Sequence, residues 1–127
     1  MISMRRTDRI SISLDLDSAG LSELLLAMTT IAAAGKCSVP VTADHSLIRP
    51  SRIRKRPLST LTITAGAITR LSCVGNELRL EVDEEDLEDI NDALRQCKAS
   101  GQFQVAELIQ IQVEGREQVD QIYVALT

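Results

Sequence analysis

Aromatic residues are nearly missing from this sequence. Of its 127 residues, 44% are hydrophobic but only 2% are aromatic, with one Tyr, one Phe and no Trp. The core must therefore be built from aliphatic side chains. Because base stacking on aromatic rings is a common way to hold single-stranded nucleic acid, the shortage also counts against that kind of partner.

The usual signatures of catalysis and metal binding are also missing. His45 is the only histidine, and no Cys-x-x-C pair occurs among Cys37, Cys73 and Cys97. Asp44 precedes His45, but no motif places a Ser, Cys or Lys as the nucleophile that such a pair would activate. We therefore predict a protein that is not an enzyme, with no metal, no cofactor and three reduced thiols that pack as small hydrophobes.

Long apolar runs are absent as well. No stretch of about 18 apolar residues could form a membrane span. Arginines near the N-terminus are followed by strand-like alternation, whereas a signal peptide would continue with an apolar block. The length suits one domain over residues 1–127. These features predict a cytoplasmic protein with no membrane partner.

Apolar, capping and stopping residues recur at a constant offset of 66 residues. In each copy, apolar and polar residues alternate up to an aspartate, Asp17 or Asp83, which predicts a half-buried strand. Each aspartate is placed to cap a helix by accepting from free backbone N–H groups. Each helix should end at a glycine, Gly35 or Gly101, in the left-handed conformation. The pattern predicts two β-α-β units, related by duplication or alike only because they share capping physics.

The remaining alternation predicts strands and hairpins. Gly75-Asn76 is a tight-turn dipeptide, and residues 104–113 alternate as one long strand. The predicted order is β-α-β-β-β-β-α-β-β. The predicted fold class is α+β, a two-layer domain with two helices on one face of a mostly antiparallel sheet. The offset divides it into repeat halves at residues 10–66 and 76–127.

The first predicted helix is apolar over most of its circumference, because Leu26, Ala27 and three further alanines widen its stripe. Such a helix is buried or covered by something. We rank residues 43–57 first as the cover, a second copy of the chain second and another partner third, so a homodimer is among the alternatives.

Charge is divided unevenly along the chain. Residues 1–70 hold ten basic and five acidic groups, and residues 71–127 hold four basic and thirteen acidic ones. Seven of the ten residues from 83 to 92 are acidic, and helical spacing turns most of them away from Leu87, Ile90 and Leu94. A solvated face is the ordinary interpretation. The functional one is a docking surface for a basic partner, made of Glu84, Glu85, Glu88, Asp89 and Asp92.

Five cations stand between residues 49 and 56. This cluster suits phosphate, nucleic acid or an acidic protein, or it is a solvated loop. The net charge of −4 disfavours nucleic acid. The predicted contact residues of the cluster are Arg52, Arg54, Lys55 and Arg56.

The run from Gly75 to Leu94, followed by the alternating hairpin at 104–126, resembles small immunity proteins of bacterial polymorphic toxin systems. The resemblance covers residues 67–127, and the first half would be a second, diverged copy. It implies an inhibitor that binds a cognate toxin, often through complementary charge, and occludes its active site. Two alternatives stay open. One is a nucleic-acid-binding or regulatory module using residues 49–56. The other is a secretion chaperone, although such chaperones usually start and end with helices.

Overall fold

The structure is a computed structural model that describes residues 1–8, 11–43, 58–111 and 119–127. Two helices are seen in these ranges, α1 (Ser18–Ala34) and α2 (Glu84–Ser100). The strands are β1 (Ile2–Arg6), β2 (Ser11–Leu16), β3 (Lys36–Pro40), β4 (Thr42–Ala43), β5 (Thr60–Ala65), β6 (Arg70–Val74), β7 (Glu77–Val82), β8 (Glu107–Gln110) and β9 (Gln121–Leu126).

Both helices begin and end where the local signals predict. The carboxylate of Asp17 accepts a hydrogen bond from the backbone N–H three residues later at 2.7 Å, and Asp83 does the same at 2.8 Å. Gly35 (φ 76°) and Gly101 (φ 80°) adopt the left-handed conformation, and each N–H bonds back to the carbonyl four residues earlier. These contacts satisfy backbone groups that every helix end leaves without partners.

The predicted α+β class is confirmed, but the strands form two mixed sheets rather than one mostly antiparallel sheet. The first sheet has the order β4-β1-β2-β9-β8, and the second has the order β3-β5-β7-β6. A parallel pair lies inside each sheet, β2 with β9 and β5 with β7. The physical reason for two sheets is that each helix crosses between them. Helix α1 leads from β2 to β3, and α2 leads back from β7 to β8.

The two halves of the chain are assembled in the same way. When the chain is divided between β5 and β6, each half supplies an antiparallel pair before its helix and another after it. Each sheet combines one pair from each half. Strand β2 and helix α1 keep the offset of 66 residues to β7 and α2. The offset ends after Gly101, since β8 starts only at Glu107, whereas β3 starts directly after Gly35.

Some strand boundaries differ from the predicted ones. The predicted long strand at 104–113 was wrong at its start, because residues 104–106 lie outside any strand and the ladder starts at Glu107. Residues 112 and 113 lie outside the described ranges. Strand β1 was not predicted. The turn at Gly75 is confirmed, with φ 61°, the left-handed value that a first central glycine supplies in a two-residue hairpin.

The core lies where both sheets and both helices meet. Leu14 of the first sheet, Leu61 and Leu80 of the second, Leu24 of α1 and Ile90 of α2 line the same small internal space. Every one of these side chains is at most 3% exposed. The predicted aliphatic core is therefore what joins the two sheets.

One core expectation needs correction, and another stays a prediction. Leu87, predicted in the buried stripe of α2, is only partly buried, whereas Leu94 is 0% exposed. On α1, Leu26 is 72% exposed, so part of its apolar surface is not packed against the described core. The proposed covering segment, apart from residue 43, lies outside the described residues. No helix in the described part of the chain is long and apolar enough to cross a membrane.

Candidate functional site

Helix α2 carries a single acidic face, which we define as Glu84, Glu85, Glu88, Asp89 and Asp92. All five side chains are exposed. The opposite side of the helix is apolar and is held against the core by Ile90, Leu94 and Cys97, each at most 1% exposed. The structure therefore brings these predicted residues together on one surface, as helical spacing requires.

Two other acids at the start of α2 have structural roles. Asp83 caps the helix, and the carboxylate of Asp86 accepts a hydrogen bond from the hydroxyl of Thr69. The same hydroxyl accepts from the backbone N–H of Asp83 at 3.3 Å. Thr69 is 5% exposed, so this small network joins the segment before β6 to the helix N-terminus. Capping and the helix dipole thus account for these two acids, and the dipole also favours the two glutamates of the first turn, but neither accounts for the rest of the acidic face.

Cations do little to compensate the acidic face. Asp92 and Arg95 approach to 4.0 Å, with side chains 56% and 70% exposed. An ion pair this long and this exposed contributes little to stability. Within the described ranges, the other four carboxylates form no ion pair. The face also contains like charges four residues apart, Glu84 with Glu88 and Glu85 with Asp89, which destabilise a helix by a few tenths of a kcal/mol per pair.

A groove lies beside the C-terminal half of this face, between α2 and residues 103–108, and we call it the α2 groove. Its volume is about 360 Å³. Asp89 and Asp92 line it from the helix, Glu107 lines it from β8, and Phe103 and Val105 supply apolar surface. Val105 is 67% exposed and Phe103 is partly buried. The groove therefore combines accessible apolar surface with carboxylates from two elements.

The apolar part of this groove was missed by the sequence prediction, because the predicted strand at 104–113 begins before Val105. A strand would have turned alternate side chains into the core. The available signal was the pair of glutamines, Gln102 and Gln104, next to a helix-ending glycine, which also suits an exposed connection.

A second, shallower depression lies at the N-terminal end of α2. Its volume is about 530 Å³, and it is lined by Gly66, Ala67 and four acids, namely Asp83, Glu84, Glu85 and Glu88. Gly66 is held there by its N–H, which bonds to the carbonyl of Val82 at 2.8 Å. The acidic face thus has concave surface near both of its ends. No group of three or more His, Cys, Asp or Glu among the described residues is arranged to hold a metal ion.

No disulfide joins the three cysteines. Desolvation raises the pKa of the Cys37 thiol, and the same cause raises the pKa of Cys97. A raised pKa keeps a thiol protonated, whereas a nucleophilic cysteine needs a lowered one. Lys36, which precedes Cys37 in the sequence, does not reverse this effect. Cys37 and Cys97 are buried, and Cys73 is only partly buried.

A polar cluster covers the outer side of the first sheet, on side chains that alternate with the core residues of β2. Asp15, which is 9% exposed, accepts hydrogen bonds from Arg5 at 2.9 Å and from Ser13 at 2.8 Å. Each oxygen of the Asp15 carboxylate accepts a hydrogen bond from a separate donor. These bonds are sufficient to explain why the carboxylate can be buried. We assign it a structural role.

The remaining predicted site residues lie outside the described ranges. These are Arg52, Arg54, Lys55 and Arg56, together with Asp44 and His45. Their proposed contacts stay predictions.

No protein-family model matches the sequence, and no curated protein shows significant similarity to it.

Proposed function

We propose that this protein is a non-enzymatic inhibitor that binds a basic protein partner through the acidic face of α2. The partner class that suits it best is a cognate toxin, neutralised in the cytoplasm of a bacterium by occlusion of its active site. The observation that carries the proposal is the acidic face itself, which has almost no compensating cation among the described residues and adjoins an accessible apolar groove.

The acidic face has an energetic cost, because its like charges repel one another. The fold uses Asp83 and Asp86, and the helix dipole favours the two glutamates of the first turn. Glu88, Asp89 and Asp92 have neither role, and they add carboxylates that repel their neighbours. A basic partner relieves this repulsion, and opposite potentials accelerate the encounter of two proteins. A toxin that acts on nucleic acid carries a basic cleft for its substrate, and a rigid acidic helix is suited to fill such a cleft. The buried side of α2 would keep the helix rigid in both states.

The experiment uses two variants with equal changes in net charge. The test variant, Glu88→Gln with Asp89→Asn, removes two carboxylates from the acidic face. The matched control, Glu77→Gln with Glu81→Gln, removes two from β7, where each carboxylate is paired with an arginine. The partner is first captured from a bacterial lysate on the immobilised full chain and identified by mass spectrometry. Its association with each variant is then measured by surface plasmon resonance at low and high salt.

We expect the test variant to lower the association rate constant by about tenfold at low salt, with a smaller effect at high salt, because electrostatic steering is screened. The control should change the rate by less than about twofold. The wild-type chain should also inhibit the activity of the purified partner. Equal losses in both variants, or a captured partner whose activity is unaffected, would contradict the proposal.

Nucleic acid provides a separate check on the same chain. We expect no measurable binding of DNA or RNA near physiological salt. Binding that weakens steeply with salt and disappears when Arg52, Arg54, Lys55 and Arg56 are neutralised would transfer the function to residues 49–56.

A further inference from the structure

We infer that the α2 groove is the anchor site for the partner, and that it takes a short segment with an apolar side chain between two cationic ones. This inference rests on the proposed function and specifies the chemistry of the segment that is recognised. It is carried by the apolar surface of the groove and by the positions of the carboxylates around it.

The apolar surface is unusual for its position. Val105 and Phe103 lie in the connection between α2 and β8, where exposed side chains are normally polar. Val105 is 67% exposed, and Phe103 is one of only two aromatic residues in the whole chain. Ala93 completes this surface from the helix side. An apolar side chain of a partner would remove this surface from water, which is how anchor residues contribute most of the energy at interfaces.

The carboxylates around the groove define which residues of the partner would flank its apolar side chain. Asp89 and Asp92 approach from α2, and Glu107 approaches from the opposite wall. Among the described residues, no lysine or arginine lines the groove. A partner segment with cations on both sides of its apolar residue would thus meet a carboxylate in each direction. An uncharged or acidic segment would leave these carboxylates partly desolvated and without partners, which opposes binding.

The volume of the groove is consistent with this occupant. At about 360 Å³ it lies near the lower end of the usual size range of binding clefts, roughly 300–1,000 Å³. One apolar side chain with its flanking backbone fits such a space, whereas a whole helix of a partner would have to lie outside it. The acidic face would then attract the partner and the groove would hold it. These two roles affect different rate constants, since steering mainly changes association and a buried anchor mainly changes dissociation.

The test uses defined peptides and does not require the natural partner. Three capped pentapeptides serve as probes: Gly-Arg-Leu-Arg-Gly, the same peptide with Ser in place of Leu, and the same peptide with Glu in place of both Arg residues. Each is titrated into the ¹⁵N-labelled full chain, and backbone amide shifts are followed by NMR. The test variant is Val105→Ser. The control is Val74→Ser, at an apolar residue of β6 that is 51% exposed and does not line the groove. Both changes are at exposed positions, so the fold should be kept.

We expect saturable shifts for the Arg-Leu-Arg peptide, concentrated at residues 89–96 and 103–108. Binding should be at least fivefold weaker for the Ser peptide and for Val105→Ser, should be undetectable for the Glu peptide, and should be unchanged for Val74→Ser. Equal binding of the Leu and Ser peptides would overturn the inference, because the surface would then recognise charge alone. Binding seen only after Arg52, Arg54, Lys55 and Arg56 are replaced by Ser would also overturn it, because the groove would then serve the chain's own cations.

A failure of the inference can be distinguished from a failure of the proposed function. If neutralising the acidic face slows association with the captured partner, but Val105→Ser leaves its dissociation rate unchanged, the proposed function stands and the anchor site is refuted. If Val105→Ser increases the dissociation rate at least fivefold while Val74→Ser does not, the anchor site is supported in the natural complex.

Discussion

Shortening Leu94 to alanine should destabilise the fold far more than the same change at Leu87, although both residues belong to the apolar side of α2. Leu94 is 0% exposed, whereas Leu87 is only partly buried at the edge of the core. The substitution removes the same three carbon atoms at each site. The comparison therefore isolates burial from helix propensity, because leucine and alanine are both good helix formers.

The magnitude follows from the environment of each side chain. Removing three buried carbon groups costs about 2.4 kcal/mol in transfer free energy, at roughly 0.8 kcal/mol per group. The cavity left at Leu94 lies in the closely packed centre of the domain and raises the loss to about 3–5 kcal/mol. At Leu87 solvent and neighbouring side chains can fill part of the space, so we expect a loss of about 1–2 kcal/mol.

The assay is urea denaturation followed by far-UV circular dichroism, since the chain contains no tryptophan for fluorescence. The midpoint urea concentration should fall while the m-value stays the same, so that the free energy of unfolding decreases. An unchanged m-value indicates that both variants unfold from a native-like state. Losses below about 1 kcal/mol at both sites would mean that α2 is not held by this core. Equal losses would mean that Leu87 and Leu94 are buried to the same degree, which would contradict the structure.

Three further predictions concern backbone conformation, acid stability and thiol reactivity. Gly35→Ala and Gly101→Ala should each lower the free energy of unfolding in urea by about 1 kcal/mol, because both glycines have the left-handed backbone conformation. Nothing lies within 4 Å of an added Cβ, so no steric clash should add to this cost. No loss at either site would contradict the cap geometry. Hydrogen bonds from the Thr62 hydroxyl and from Arg79 lower the pKa of Glu77, so its ionised form stabilises the fold above the ordinary carboxyl pKa, and this contribution is lost as pH falls through the lowered value. Glu77→Gln should therefore flatten the acid limb of the stability curve, and an unchanged limb would argue against those hydrogen bonds. Under native conditions iodoacetamide should modify the partly buried Cys73 faster than Cys97, because burial raises the pKa of the Cys97 thiol. Peptide mass spectrometry that finds Cys97 modified first would contradict the burial of this residue.

Elements that depend on near neighbours could be predicted from the sequence. Asp17 and Asp83 act on N–H groups three residues away, and Gly35 and Gly101 act on carbonyls four residues away. Such signals are complete within one turn of helix, so both helices begin and end as predicted. The hairpin at Gly75 is equally local. The acidic face could be predicted for the same reason, since helical spacing alone brings its residues together once the helix is known.

The division into two sheets could not be predicted in this way. Ser11 pairs with Gln121 in the parallel register of β2 and β9, and no local pattern relates residues so far apart in the chain. Alternation shows that a strand has one apolar side, but it does not show which strand lies next to it. The crossing of each helix between sheets was therefore decided only by tertiary packing.

The sequence by itself determined the helix boundaries, the aliphatic core and the acidic face of α2, because periodicity and capping are local properties. The tertiary structure decided the α2 groove. Val105 is exposed because the ladder between β8 and β9 starts only at Glu107, which leaves residues 101–106 as a connection outside the sheet. Where a strand starts depends on the partner strand that holds it, and here that partner is contributed by the last residues of the chain.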